Sequence, residues 1–241
     1  MNTIKLDKKN VKMIAHRGLS GLEKENTCSA FVAAGNRASY FGIETDVHVT
    51  KDGKFVIFHD DDTARVGIDS MIIENTTFDT LRKLQLTDID GKRGRIDLVI
   101  PELLEYIGIC RKYEKVAVLE LKNEFKKEDI YAIIDRIRDS GYWDNVLVIS
   151  FILSNLVALR EKYPDHPAQF LIEGEWRDEY YGVLEKYDLG LDIDHQLLTP
   201  EIVSRVHALG KEVNVWTVNT KEDGERMVQY GVDYITTNIL E

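Results

Sequence analysis

Short apolar runs and amphipathic stretches alternate along this chain, most regularly in its second half. The apolar runs are rich in Val and Ile, which favours strands. Between two of them, residues 129–141 carry isoleucines at helical spacing and end in Gly141, a typical C-cap. Another helix is predicted between the N-cap Thr199, with Pro200 at its first position, and Gly210. Alternation of strand and helix at this interval predicts βα units on a parallel sheet.

Eight of the apolar runs suit parallel strands. Their centres are Ile14, Ile43, Val116, Val148, Phe170, Leu191, Val215 and Tyr234. A ninth run, KFVIFHD at 54–60, is predicted to return antiparallel to the second strand. The first helix is expected near 27–38, with Cys28, Phe31 and Val32 on its apolar face. This pattern predicts an α/β fold and favours a closed (β/α)₈ TIM barrel over an open doubly wound sheet.

Residues 61–100 interrupt the alternation after the second strand and contain one short helical pattern, near 78–84. An insertion of this length inside a compact domain is usually functional. Because it follows directly on His59, it is a candidate lid for the barrel mouth, with a decorative loop as the alternative. The sequence has no linker or second-domain signal, so residues 1–241 are predicted to form a single domain.

Composition narrows the class of protein. Hydrophobic residues make up 44% and charged residues 30%, as in a soluble globular protein, and the net charge is −11. That charge argues against nucleic-acid or anionic-membrane binding, although a local cation still permits a small anionic substrate. Cys28 and Cys110 lack metal-type spacing and are predicted to be buried thiols in a reducing compartment. No signal-peptide core or membrane-spanning run is present, so we expect a cytoplasmic protein without stable membrane insertion and leave its oligomeric state open.

The stretch IETDVHVTKDGKFVIFHDD, at 43–61, reads as a hairpin with ionisable residues in apolar positions. Glu44 and Asp46 share one face because side chains alternate along a strand. A two-residue turn at Asp52–Gly53 would place Asp46 directly opposite His59, whereas a three-residue loop would shift the register by one. Either way, these side chains are expected at the carboxyl end of a barrel strand, where (β/α)₈ enzymes keep their active sites.

Two carboxylates on one inward face repel each other and are costly to bury without a counter-charge. The motif LELK adds a third carboxylate, Glu120, at the end of another strand, with Lys122 on the same face. Oxygen ligands suit hard dications, so Glu44, Asp46 and Glu120 predict a site for Mg²⁺ or Ca²⁺. Outward, solvated carboxylates are the alternative.

The motif HRG puts His16 and Arg17 at the exit of the first strand. Together with His59, His16 suits general acid–base catalysis, because imidazole titrates near neutral pH. Arg17 and Lys122 suit an anion, and the whole set predicts a phosphate-ester site. No nucleophile elbow, P-loop, dinucleotide fingerprint or zinc-protease motif is present. His166 and His207 lie on a predicted loop and helix and are expected to be solvated.

The order of these motifs resembles that of the glycerophosphodiester phosphodiesterase family. The matching segments are HRG at 16–18, ENT at 25–27, the hairpin at 43–61, IPELLEYI at 100–107, LELK at 119–122 and VWTVN at 215–219. The resemblance extends from about Met13 to Asn238, nearly the whole chain. Two positions depart from the family pattern: Lys24 replaces a proline before ENT, and Thr237 replaces an aspartate near the C-terminus.

The resemblance implies a (β/α)₈ barrel and metal-dependent hydrolysis of glycerophosphodiesters to glycerol 3-phosphate and an alcohol such as choline or ethanolamine. The implied roles are acid–base catalysis by His16 and His59, Mg²⁺ or Ca²⁺ binding by Glu44, Asp46 and Glu120, phosphate binding by Arg17 and Lys122, and pocket lining by Asn26 and Trp216. Trp216 as core filling remains open, as does the choice between attack by water and attack by a glycerol hydroxyl.

Two rival functions remain at this stage. One is a sphingomyelinase D-like phospholipase, which shares the histidine pair and metal ligands; the acidic charge and the lack of paired cysteines argue against it. The other is a non-catalytic barrel that binds a metal or a phosphate metabolite.

Overall fold

The structure is a computed structural model that describes residues 2–67 and 69–241. Met1, the first residue of the predicted domain 1–241, and Ile68, within the predicted insertion, lie outside the described residues.

The strands form a closed barrel. They are β1 Lys12–Ala15, β2 Tyr40–Val49, β3 Phe55–Ile57, β4 Val116–Leu121, β5 Val146–Ser150, β6 Ala168–Ile172, β7 Gly190–Asp194, β8 Val213–Trp216 and β9 Tyr234–Thr237. All except β3 are parallel to their neighbours, and β1 pairs with both β2 and β9, which closes the ring. Each of the eight predicted strand centres lies within its own strand, so the predicted (β/α)₈ barrel is confirmed.

Helices connect the parallel strands. They are α1 Cys28–Gly35, α2 Phe78–Leu81, α3 Leu103–Lys112, α4 Lys127–Asp139, α5 Leu153–Lys162, α6 Glu179–Lys186, α7 Pro200–Ala208 and α8 Lys221–Tyr230. The cap prediction for α7 is confirmed, because the Thr199 side chain accepts a hydrogen bond from Ile202 N and Gly210 follows the helix with φ of 72°. In the described part of the chain, no helix combines the length and apolar character needed to cross a bilayer.

The face of α1 that packs against the barrel differs from the prediction. Ala30, Phe31 and Ala34 are fully buried, whereas Val32 is 40% exposed and Cys28 is partly exposed. Each helical residue turns the side chain by about 100°, so a face centred on Phe31 turns Val32 toward solvent. The predicted apolar face therefore holds for Phe31 and is wrong for Val32.

The hairpin has the shifted register. Its ladder pairs are Val47 with Ile57, His48 with Val56 and Val49 with Phe55. The loop at 51–53 has three residues, and Gly53 closes it in the left-handed region with φ of 71°. Phe58 N then donates to Asp46 O at 3.0 Å, so Phe58 lies opposite Asp46 and His59 follows one residue beyond. The predicted direct pairing of Asp46 with His59 is wrong.

The insertion after β3 has its own small hydrophobic cluster. Val66, Leu84, Leu86 and Leu98 pack there with Phe58 and other buried residues around 56–100. The helix expected near 78–84 is present but shorter, as α2. The insertion is therefore a packed unit with its own hydrophobic cluster.

Candidate active site

Three carboxylates converge at the carboxyl ends of β2 and β4. Glu44 and Asp46 point inward from β2, and Asp46 is the register partner of Glu120 on β4. All three are buried, with relative exposures of 3%, 1% and 6%. One oxygen from each lies within 4.8 Å of the others. The outward, solvated alternative is thereby excluded.

The pKa values of the three carboxyl groups in this cluster shift in different directions. Burial, followed by repulsion from Asp46, raises the pKa of Glu44 well above its usual range and that of Glu120 to about 8. Burial also acts to raise the pKa of Asp46, but Arg17 and then Lys122 outweigh it and lower that pKa to about 2.

The cluster fits a divalent cation. Its neighbouring cations are Arg17, whose Nε is 3.8 Å from Asp46 Oδ2, and Lys122, whose Nζ is 3.1 Å from Glu120 Oε1. Three ionised carboxylates would exceed the two fixed cations in charge, and their mutual repulsion adds to the effect of burial in raising the pKa values of Glu44 and Glu120. Carboxylate oxygens at this spacing are suitable ligands for Mg²⁺ or Ca²⁺.

Hydrogen bonds hold the carboxylates in place. Asn26 Nδ2 donates to Asp46 Oδ2 at 2.8 Å, and Thr45 Oγ1 donates to Asn26 Oδ1 at 2.7 Å. Arg17 N donates to Glu44 Oε2 at 2.8 Å. Asn26 thus lies behind Asp46 rather than on the cavity wall where it was expected, and it orients one of the predicted ligands.

His16 is fixed through one ring nitrogen. Its Nδ1 is 2.7 Å from Asn238 Oδ1, an acceptor, so Nδ1 carries the proton and Nε2 is left with a lone pair. Nε2 lies 4.0 Å from Glu44 Oε2. Burial, assisted by the charge of Arg17, lowers the pKa of His16 to about 4. The imidazole is therefore neutral at pH 7.

His59 is fixed through both ring nitrogens. Its Nδ1 is 2.5 Å from Asp60 Oδ1, and Lys122 Nζ donates to its Nε2 at 2.9 Å. Burial lowers the pKa of His59, and the charges of Arg17 and Lys122 add to that effect. His59 and His16 thus present two neutral imidazoles to the same cavity.

The cavity at the barrel mouth has a volume of about 420 Å³. Its polar side is formed by the histidines, Arg17, Lys122 and the carboxylates of Glu44 and Glu120. The opposite side is largely apolar, formed by Ile149, Phe151, Ile152, Leu171 and Trp216, with Glu173, Asp192 and Thr236 as polar members. Phe151 and Trp216 meet edge to face, with ring centroids 5.4 Å apart. Trp216 therefore lies on the cavity wall as expected.

The insertion reaches the site through Arg65. Its guanidinium donates to Asp60 at 2.7 Å and to both carboxylate oxygens of Glu25 at 2.8 Å. Glu25 also accepts from Arg17 Nη1 at 3.0 Å, and Asp60 holds His59. No described residue of 61–100 is on the cavity wall itself, and Arg65 contacts the site from behind the charged side chains of Glu25 and Asp60.

Three contributors were not identified from the sequence. Asn238 and Asp60 hold the two histidines, and Asp192 lies on the cavity wall. The position of Asp60 directly after His59 could have indicated its role, and Asp192 could have been noticed as an acid at an inward position of a buried strand. No feature of the sequence indicates the role of Asn238, because only barrel closure between β1 and β9 brings it to His16.

A closed barrel that gathers ionisable side chains at the carboxyl ends of its strands belongs to the class of (β/α)₈-barrel enzymes, and the cations beside its carboxylates fit an anionic substrate. The sequence model of the glycerophosphoryl diester phosphodiesterase family matches residues 16–241. The chain therefore belongs to that family, which confirms both the resemblance and the expectation of an enzyme.

Three similar proteins match this chain over nearly their full lengths. A glycerophosphodiester phosphodiesterase of Caldanaerobacter subterraneus subsp. tengcongensis is 28% identical over 231 residues, which cover 94% of this chain and 93% of that protein. The structure of an Oleispira antarctica phosphodiesterase, solved in complex with the product sn-glycerol-3-phosphate, is 26% identical with a TM-score of 0.84, and the match covers 98% of this chain and 96% of that one. A glycerophosphodiester phosphodiesterase structure from Parabacteroides distasonis is 28% identical with a TM-score of 0.78, covering 95% and 93%.

Proposed function

We propose that this enzyme hydrolyses glycerophosphodiesters to glycerol 3-phosphate and an alcohol, in a cation-dependent reaction that uses His16 and His59 as its acid–base pair. The observation that carries the proposal is the shared cavity, where two neutral imidazoles face a buried carboxylate cluster. The Oleispira antarctica relative with bound sn-glycerol-3-phosphate supports the choice of product.

Glu44, Asp46 and Glu120 would hold Mg²⁺ or Ca²⁺. When bound there, the cation would neutralise charge on the phosphoryl oxygens. The close spacing of the three carboxyl groups and the mutual repulsion that helps to raise the pKa values of Glu44 and Glu120 support this role for all three residues.

Arg17 and Lys122 are proposed to bind the phosphate. Arg17 Nε is buried and makes no hydrogen bond to a described residue, so one N–H is available to a ligand. Lys122 Nζ lies between the carboxylate cluster and His59, at distances of 3.1 Å from Glu120 and 2.9 Å from His59. Both cations are therefore held beside the polar side of the cavity, where they would favour a phosphodiester anion.

The histidines are proposed to move the protons. One imidazole accepts the proton of the attacking oxygen, from water or from a glycerol hydroxyl, and later returns it to solvent. The other, which is neutral in the free enzyme, takes up a proton on its ring nitrogen before the step and donates that proton to the departing alkoxide. Asn238 fixes His16 with its Nε2 lone pair free, and Asp60 fixes the ring of His59. Asn26 would act indirectly by orienting Asp46, and Trp216 would pack against the organic part of the substrate.

The direct test is an assay of purified protein against glycerophosphocholine, with product analysis for glycerol 3-phosphate and choline. Parallel reactions contain Mg²⁺, Ca²⁺ or a chelator. The proposal requires turnover with at least one cation and its loss in chelator, restored by adding the cation back.

A comparison of substrates distinguishes the proposed function from the two rival functions, the phospholipase and the non-catalytic barrel. Turnover of sphingomyelin or lysophospholipid in preference to glycerophosphocholine would favour the phospholipase function. Cation binding without turnover of any diester would favour the non-catalytic barrel. Turnover unaffected by exhaustive chelation would refute the metal role of Glu44, Asp46 and Glu120.

We further infer that the chain forms one domain whose insertion, 61–100, acts as a lid, since Arg65 links it to Glu25 and Asp60 beside the site. The thiols of Cys28 and Cys110 are unpaired, which supports a reducing, cytoplasmic compartment.

A further inference from the structure

The side of the cavity away from the carboxylate cluster contains two buried polar atoms without protein partners. Asp192 is 1% exposed, and its Oδ1 makes no hydrogen bond to a described residue. The indole Nε1 of Trp216 is likewise buried and without a partner. Both residues line the cavity. Buried polar groups in native proteins are normally hydrogen-bonded, so a pair without partners beside a cavity points to a ligand.

Asn214 is the polar neighbour of Asp192, as its register partner on β8. Its Oδ1 accepts from Thr236 Oγ1 at 3.2 Å, and its amide Nδ2, which is buried without another partner among the described residues, interacts with the Asp192 carboxyl and lowers the pKa of that carboxyl in part. The neighbouring wall residues Ile149 and Leu171 are apolar. A carboxyl in this position is fully removed from water without a fixed counter-charge, and burial raises the pKa of Asp192 to about 8. At neutral pH the group is mainly protonated and can both donate and accept a hydrogen bond.

We propose that Asp192 and the indole N–H of Trp216 form a hydroxyl-recognition subsite, which selects the diester leg that carries a vicinal diol. This inference rests on the proposed diester hydrolysis and names the residues that would distinguish a glycerol leg from an alkyl leg.

Two hydroxyl groups match the two atoms in number and in kind. One hydroxyl pairs with the Asp192 carboxyl, and the other accepts from Trp216 Nε1, which can only donate. The carbon chain of the leg meets the apolar surface of Leu171 and Phe151. An alkyl leg of the same length would leave both polar atoms buried and unpaired, and sites built to bind a hydroxyl reject analogues that lack it.

A cationic leg fits less well. The carboxyl that would receive it is mainly neutral, and the apolar neighbours of Asp192 would not replace the water lost by an ammonium group. A diol leg needs no charge at this position.

The test compares three chromogenic diesters that share one leaving group, p-nitrophenol. Their other legs are glyceryl, 2-hydroxypropyl and propyl, so hydroxyl groups are removed one at a time. The enzymes are the wild type, Asp192→Leu, Asp192→Asn and the control Asp188→Asn, which changes an exposed carboxyl outside the barrel that pairs with Lys211. Each is assayed for kcat/KM in its cation-loaded form, after its thermal melt has been compared with that of the wild type.

The wild type should prefer the glyceryl over the propyl diester by about 100-fold or more. Asp192→Leu should lower kcat/KM for the glyceryl diester by about 30-fold or more and change that for the propyl diester by less than about 3-fold. Part of the wild-type preference would come from chemistry if a glycerol hydroxyl is the nucleophile. That part is common to both enzymes and cancels in the ratio of wild type to variant.

An equal loss on all three diesters would assign Asp192 a structural role and overturn the subsite, as would no loss on any. If Asp192→Leu does not fold, Asp192→Asn gives the same comparison, with a selective loss of about 5-fold expected for the glyceryl diester. A wild-type enzyme that turns over the glyceryl and propyl diesters equally refutes the subsite alone. A wild-type enzyme that turns over none of the diesters refutes the proposed function itself.

Discussion

Lys122 Nζ lies 2.9 Å from His59 Nε2, so the ammonium group donates to the lone pair of a proposed catalytic imidazole. The same ammonium group is 3.1 Å from Glu120 Oε1 and 3.7 Å from Asp46 Oδ1. One side chain therefore connects the proposed metal ligands to the proposed acid–base residue. A phosphate bound beside it would compete for the same protons and release His59 Nε2 for proton transfer.

Lys122→Met should lower kcat/KM by about 100-fold, because the substrate loses a cation that would bind its phosphate. Steady-state kinetics on glycerophosphocholine at saturating cation measures the effect. The control is Lys126→Met, which removes an exposed lysine four positions further along the chain and should leave the rate unchanged. A Lys122 variant with normal kcat/KM would remove this residue from substrate binding.

Replacing either histidine by alanine should reduce kcat by about 10²–10⁴-fold with a much smaller change in KM, because acid–base catalysis acts in the transition state. The assay is again steady-state hydrolysis, for His16→Ala and His59→Ala. His207→Ala is the matched control, since that imidazole lies outside the barrel and pairs with Asp233. Near-normal turnover in either catalytic variant would exclude that residue from proton transfer.

Glu120→Gln should separate stability from cation binding. A carboxyl with a raised folded pKa stabilises the protein below its usual pKa of 4.5 and loses this contribution as pH rises through about 8. In chelator at pH 8 the variant should therefore melt a few degrees above the wild type, because it removes a repelling buried carboxylate.

Excess Ca²⁺ or Mg²⁺ should reverse that order, since a ligand that binds only the native state raises the melting temperature and the variant has lost one ligand. Glu128→Gln, an exposed carboxylate on α4, should behave as the wild type in both conditions. If the cation stabilises Glu120→Gln as much as the wild type, Glu120 is not a ligand.

Arg65→Met should weaken catalysis without unfolding the protein. Arg65 is 47% exposed at its side chain, so its ion pairs contribute about 0–1 kcal/mol to stability, but they fix Asp60, which holds His59. We expect about a 10-fold loss of kcat and a change in melting temperature of a few degrees at most. Arg93→Met, an exposed position of the same insertion, is the control. A normal kcat would show that the insertion has no influence on the imidazole.

Most of the barrel could be predicted from the sequence because each βα unit carries its own local signals. The isoleucine face of α4 and the caps Thr199 and Gly210 are properties of short segments, and the structure retains them. The hairpin register depended instead on whether Gly53 ends a two- or three-residue loop, and the same amino-acid sequence is compatible with both loops. A one-residue difference there moved His59 beyond its expected partner.

The carboxylate cluster was predictable for a different reason. Parallel strands end at one edge of a barrel, so acids at the ends of β2 and β4 must meet once the strands are assigned. Asn238 could not be found in that way, because it is 222 residues from His16 in sequence and contacts it only after closure. Asn26 shows the same limit, since its position near the site was expected but its bond to Asp46 depends on a left-handed turn with φ of 53°.

His166, expected to be solvated, is buried at 9% exposure, and that prediction is wrong. Its ring stacks on Trp143 with centroids 3.5 Å apart and planes 10° from parallel. The indole covers one face of the imidazole and removes it from water. A single-sequence pattern could not show this, because Trp143 lies beyond a helix and a strand in the chain.

This burial predicts an acid sensitivity that a single substitution should remove. Burial, followed by the charge of Arg160, lowers the pKa of His166 from 6.5 to about 4. The unfolded chain then binds more protons than the folded one between these pH values. The contribution of neutral His166 to stability is therefore complete above pH 6.5 and is lost as pH falls toward 4.

Urea unfolding at pH 7.5 and pH 5 should show a smaller loss of unfolding free energy for His166→Phe than for the wild type, by about 1–2 kcal/mol. Phenylalanine keeps the stack on Trp143 but does not titrate. Other titrating groups, including Glu120, are present in both proteins and cancel in the difference. Equal losses in the two proteins would show that His166 takes up its proton without unfolding the region around Trp143.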